Sequence, residues 1–252
     1  MKKNILFNSV NRAYGTSSSF QIQYSLRQFY KCNSFYISSV TIPSSYYVIN
    51  TTNNSYIILF GGIINNLSIT PGNYTPSELV SAIQTQLNMI SSDLSISYNT
   101  NTGLFSFSTS SAAFGLDATE INNLLSTLMG FLQQVYPSDT TTKTSTNVAN
   151  LSGPKYVQIV SNALSYKSSF EPSSTNTNIK NVILRIPVKV NSFDMIVYEN
   201  YNESNVIPFD KEFPNVIDIS LIDEKGDAIN LNGCEWSFNL VAFFTEIYSA
   251  KF

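Results

Sequence analysis

Residues 217–222 alternate Ile217, Ile219 and Leu221 with Asp218, Ser220 and Ile222, and residues 236–244 alternate Trp236, Phe238, Leu240, Ala242 and Phe244 with Ser237, Asn239, Val241 and Phe243. A period of two places successive side chains on opposite faces of a strand, so each run predicts a strand with one apolar face. Between them the charged segment Asp223-Glu224-Lys225-Gly226-Asp227 suits a chain reversal, and the pair is expected to form a meander closing a sheet. The same alternation predicts strands over 20–26, 34–42 (ending at Pro43), 46–50, 55–60, 156–160, 182–190, 195–198 and 206–207. Residues 1–19 end in the polar run Gly15-Thr16-Ser17-Ser18-Ser19 and are expected to be an arm that orders against a partner.

The period changes after Ile69. Thr75-Pro76-Ser77-Glu78 combines an N-cap, a proline at the first helical position and a capping-box glutamate, and Leu79, Ile83, Leu87 and Ile90 follow at helical spacing. A helix over 76–90 is predicted, then a hairpin of 94–98 with 104–108 around Asn101 and Gly103, and a second helix over 118–131 capped by Asp117 or Thr119. Residues 137–154, with the run Thr140-Thr141-Thr142-Lys143-Thr144-Ser145-Thr146, and residues 170–178 are expected to be loops. The sum is a mainly β chain: a single jelly-roll β-sandwich formed by 20–70 and 151–252, an inserted helix–hairpin–helix α/β module with a Ser/Thr-rich loop over 71–150, and the arm over 1–19.

Composition narrows the function. The 252 residues suffice for a large core, with 43% hydrophobic and 13% aromatic content. Charged residues reach only 12%, against about 25% in an average domain. Two explanations stand: an AT-rich coding bias, or a surface covered by neighbouring subunits, where charge is depleted because burying it costs desolvation. The net charge of −3 and the lack of any basic run beyond Lys2-Lys3 leave no footprint for nucleic acid. Apolar windows fall short of the roughly 18 residues of a membrane span, and Ile5-Leu6-Phe7 is too short for a signal-peptide core. The sequons at Asn50, Asn66, Asn73, Asn150 and Asn202 are therefore expected to be unmodified.

Histidine is absent, which removes the commonest general base and metal ligand together. Cys32 and Cys234 are either a long-range disulfide or two buried free thiols on strands. The carboxylate pairs Asp194 with Glu199 and Glu203 with Asp210 are formal candidates for glycoside hydrolysis. Asp223, Glu224 and Asp227 are formal candidates for calcium, although without the spacing of a dedicated loop, and read better as a solvated turn. Trp236 is either a sugar-stacking platform or core, and its place on an alternating strand favours core. No catalytic, cofactor-binding or metal residue is expected.

Two stretches carry a resemblance. The first is ITPGNYTPSEL over 69–79 with its helix, ISYNTNTGLFSF over 96–107 and Leu128-Met129-Gly130-Phe131; the second is ISLIDEKG over 219–226 with Leu231-Asn232-Gly233 and Trp236. In pattern and order over residues 20–244 the chain resembles the penton, or minor capsid, proteins of virophages and Polinton-type viruses of the double-jelly-roll capsid lineage. That resemblance implies a viral capsid protein without enzymatic activity, assembled inside the host cell into the virion. It implies homopentamers at the five-fold vertices and contact with the major capsid protein. The alternative is a receptor- or glycan-binding spike head, for which Tyr166 and Tyr201 are candidate contacts.

Overall fold

A computed structural model describes residues 1–24, 30–119, 124–165 and 181–246. The predicted loop over 170–178, the candidate Tyr166, the end of the strand predicted over 20–26 and part of the second predicted helix lie outside them. The chain divides into two compact units, Met1–Tyr46 with Pro154–Phe252, and Tyr47–Gly153.

The first unit begins with a strand where an arm was expected. β1 (Lys2–Asn8) buries Ile5 and Phe7 and turns Asn4 and Leu6 outward. Two inward apolar residues are a weak signal, but Phe7 stacks on Phe238 with ring centroids 4.7 Å apart. A short 3-10 turn leads to β2 (Tyr14–Gly15), β3 (Ser19–Gln23) and the long β4 (Tyr30–Pro43).

The second unit is inserted after β4. β5 (Ser55–Phe60) and β6 (Ile63–Ser68) form a hairpin within it, whereas the sequence pattern places them in the sandwich. The segment over 46–50 contributes a single bridge, Ile49 to Gly72, instead of a strand. α1 (Pro76–Leu87) starts as predicted: the Thr75 hydroxyl accepts from the Glu78 amide while the Glu78 carboxylate accepts from the Thr75 amide. Its buried face is Leu79, Ile83 and Leu87, packed on the hairpin of β7 (Leu94–Asn99) and β8 (Leu104–Thr109). After β9 (Phe114–Asp117) the described part of the second predicted helix holds α2 (Leu124–Leu128), which ends short of Phe131. It stops at Gly130, which has a φ of +92° and whose missing Cβ would collide with the Asn147 carbonyl oxygen, so no side chain is admitted there. The Leu128 and Gly130 carbonyls then receive the Asn150 and Asn147 amides.

The threonine-rich run is not a free loop. β10 (Val135–Thr140) pairs with β9, and β11 (Thr142–Thr144) pairs with β8. β-Branched residues favour a pleated surface, and a low-complexity reading hides that preference. The buried Lys143 amine is neutralised by Asp139 at 2.5 Å. The unit's sheets run β10-β9-β5-β6 and β11-β8-β7 around a core that includes Tyr56, Phe105, Phe107, Phe114 and Phe131.

The chain returns to the first unit with β12 (Tyr156–Val160), β13 (Val182–Pro187), β14 (Met195–Glu199), β15 (Ile207–Glu212), β16 (Val216–Ile222) and β17 (Ser237–Glu246). One sheet runs β1-β17-β4-β14, with β15 also on β4, and the other β13-β12-β16-β3-β2. Numbering the eight principal strands β1, β3, β4, β12, β13, β14, β16 and β17 in chain order gives sheets 1-8-3-6 and 5-4-7-2. That is jelly-roll connectivity, and the second unit occupies the link between its third and fourth strands.

This order corrects the expected meander. β16 and β17 belong to different sheets, and the segment between them crosses the sandwich. Their inward residues, Ile217, Ile219 and Leu221 against Phe238, Leu240 and Ala242, meet in one core with Phe20, Val157, Ile159 and Trp236. Because Phe7 is fully enclosed in that core, Phe7→Ala should lower the unfolding free energy by about 3–5 kcal/mol, read from the denaturant midpoint. A loss below about 1 kcal/mol would return residues 1–8 to the status of a dispensable arm.

Candidate functional site

The formal catalytic pairs are separated or neutralised. Asp194 and Glu199 stand at the two ends of β14, which at the rise of an extended chain spaces them by roughly 16 Å, beyond the reach of a glycosidase pair. Glu203 is bound to Lys2 at 2.6 Å, and Asp210 to Lys31 at 2.7 Å. The hydrogen bond from the Lys2 ammonium holds the Glu203 carboxyl below its ordinary range. Among the described residues no group of three His, Cys, Asp or Glu side chains could hold a metal ion.

The turn after β16 is built by its own first residue. One Asp223 carboxylate oxygen accepts from the Lys225 and Asp227 amides at 2.9 and 2.8 Å, and the Glu224 carboxylate accepts from the Lys155 amide at 3.2 Å. Desolvation raises the Asp223 carboxyl against those backbone bonds, so the acid is half-buried structure and not a solvated ligand. Trp236 is core: its ring meets Phe20 edge-on at 5.8 Å, stacks near Phe238, and donates from Nε1 to the Ser17 carbonyl at 2.7 Å. Asp218 anchors the segment after β12, accepting from the Asn162 and Ala163 amides at 2.9 and 2.8 Å and from the Asn162 side chain at 2.9 Å. Both cysteines are free. Cys32 is buried on β4 as expected, but Cys234 is exposed, because it falls in the crossing segment and not on a strand.

What the unit presents instead is a sheet face nearly without charge. Across the outer face of β1, β17, β4 and β14 the rows read Asn8, Ser237, Thr41, Val197 and Leu6, Asn239, Ser39, Glu199. The Asn239 amide donates to the Ser39 hydroxyl at 2.9 Å, so this small polar lattice is internally bonded. At the far end the cross-strand pair Tyr36 and Val241 is buried on this outer side. The Lys2 ammonium lies 6.0 Å from the Tyr36 ring and 5.8 Å from the Phe243 ring, and its bond to Glu203 draws the segment after β14 over them.

Apolar side chains stand exposed at both margins of that face: Leu6 at 62% on β1, and Met195 at 46% and Val197 at 59% on β14. Just before β14, Phe193 is 70% exposed at a φ of +72°, a strained conformation for an aromatic residue. Sequence reasoning missed these residues. Their signal is the alternation of KKNILFN and MIVYE, but whether the outward side is covered depends on the neighbouring strand. Tyr201 is exposed at 83%. On the other sheet, Tyr14, Gly15, Ser19, Phe20, Gln21, Asp218 and Ser220 line a shallow pocket of about 340 Å³.

No protein-family model and no curated protein sequence matches this chain. Among solved structures it is similar to the mavirus penton protein, at 14% identity over 97% of this chain and 99% of that one, with a TM-score of 0.49. It is also similar to a chain in the cryo-EM structure of the Sputnik virophage, at 14% identity over 100% and 99%, with a TM-score of 0.45. Both likenesses are of overall form, at scores too low to carry residue roles.

The cysteines give a direct check of the site chemistry. Desolvation pushes the Cys32 thiol up to about 11, so at pH 8 it is protonated as well as buried, whereas Cys234 is open to reagent. One thiol per chain should react rapidly with a maleimide in the native protein and two after denaturation; two fast native thiols would contradict the placement of Cys32. Asp218→Ala should cost about 1 kcal/mol, since it removes a charged acceptor from the part-buried Ala163 amide and the solvent-exposed Asn162 amide. A neutral result in a denaturant titration would show that the segment does not depend on this carboxylate.

Proposed function

We propose that this chain is a viral structural protein, a penton that forms homopentamers at the five-fold vertices of an icosahedral capsid and touches the major capsid protein around them. The observation that carries the reading is the complete jelly-roll order, 1-8-3-6 facing 5-4-7-2, joined to an outer sheet face of mostly small polar residues, with few charges and apolar margins. A fold alone hosts many functions, so the surface matters as much as the order. A face made mostly of small amides and hydroxyls is cheaper to bury than a charged one, because few charges must leave water. The sequence resemblance over 69–131 and 219–236 points the same way. The virion is then the site of action, reached by assembly inside the host cell, and the chain works by shape and contact without cofactor, nucleic acid or catalysis.

A second reading, a receptor- or glycan-binding head, is favoured by exposed Tyr201 and by the pocket beside Tyr14. Specific glycan capture lost in Tyr201→Ala would support it.

Light scattering separates the two. The penton reading expects a particle about five times the 28.0 kDa chain mass. A stable trimer would contradict it, as would a monomer at every concentration.

A further inference from the structure

We propose that copies of this chain join edge to edge, the β1 edge of one copy pairing with the β14 edge of the next, so that one sheet continues around the assembly. This inference rests on the self-assembly reading and specifies its seam. In the first unit's first sheet the strand order ends at β1 on one side and, on the other, at β14, with β15 further along the same flank of β4. Each end strand presents a row of backbone N–H and C=O groups that no other described strand pairs, a template for a further strand.

Strand direction favours a mixed seam. β1 runs antiparallel to β17, β17 to β4, and β4 to β14, so β1 and β14 point in opposite directions. A second copy set beside the first in the same orientation therefore meets β14 with an antiparallel β1, and the ladder continues without turning the copy over. Such head-to-tail contacts close into rings when each step rotates.

Charge agrees with the same seam. β1 carries Lys2, already bonded to Glu203, and Lys3, with no acid, while β14 carries Glu199 and the adjoining β15 carries Asp210, Lys211 and Glu212, a net acidic flank. In the antiparallel alignment the Glu199 end of β14 runs toward the lysine end of the neighbouring β1. Pairing β1 with β1, or β14 with β14, brings no opposite charge to the seam. The exposed apolar residues agree: Leu6 on β1 and Met195 and Val197 on β14 all point to the outer face, so the mixed seam brings exposed apolar side chains to it from both strands. The second sheet offers poorer edges, since it ends in the two-residue β2 and in β13, which finishes at Pro187.

Cysteine crosslinking tests the seam on the full chain. With Cys234→Ser removing the exposed thiol, Leu6→Cys and Val197→Cys are made singly and together; all three sites are exposed, so the fold should tolerate them. Treatment with a short bismaleimide should give a ladder of covalent multimers from the double variant alone, stopping at the number of copies found by light scattering. Crosslinks in either single variant would show a seam of like edges and overturn the proposal. So would the absence of crosslinks in a double variant that still has multimeric mass, which would leave self-assembly standing by another surface. A monomeric mass for the unaltered chain would end both readings.

Discussion

The pairing of β17 with β1 on one side and β4 on the other is the interaction on which the rest depends. It brings the last described strand between the first and the third of the eight principal strands, with ten ladder partners on β4 and seven on β1 in the register. Near the start of β17, Phe238 stacks on Phe7 and Trp236 at 4.7 and 5.5 Å. Until both ends of the chain meet there, the sheet is missing its middle and the core its densest aromatic cluster. Contacts of such sequence separation are costly to close, so folding of this sandwich should be slow compared with the local hairpins of the inserted unit.

Local signals were legible in the sequence and long-range ones were not. The Thr75–Glu78 capping box gave the start of α1 to the residue, because every group it needs lies within four positions. The alternation of 217–222 and 236–244 gave two strands and their inward faces. It did not give their partners, since a period of two encodes a face and says nothing about which sheet the face belongs to. Sequence adjacency and a charged turn therefore suggested a meander where the chain crosses the sandwich. The same limit explains the first strand: Ile5 and Phe7 are too few to announce a strand alone, and become one because β17 offers an unpaired edge and an aromatic stack. It also explains why the alternation of β5 and the turn after it point to the sandwich when both strands belong to the inserted unit.

The candidate site was legible mainly by subtraction. No histidine and scattered carboxylates left little chemistry to place, and the structure disposes of the rest in particular ways: Glu203 on Lys2, Asp210 on Lys31, Asp223 in its turn, Trp236 in the core. The depletion of charge was visible in composition, but its arrangement into one bonded polar face with apolar margins is a property of cross-strand rows. Edges cannot be read from a sequence at all, because an edge is defined by the strand that is missing beside it.

Under the proposed reading the chain's function lies in how copies fit together. The inserted unit has its own sheets and its own aromatic core, so it can vary without disturbing the jelly roll's ladder. The most direct test is an image reconstruction of the particle that contains this chain. The account expects the sandwich of residues 1–46 and 154–246 at the five-fold vertices, in a closed ring. Density for it at other positions alone, with the vertices filled by a different protein, would contradict the account.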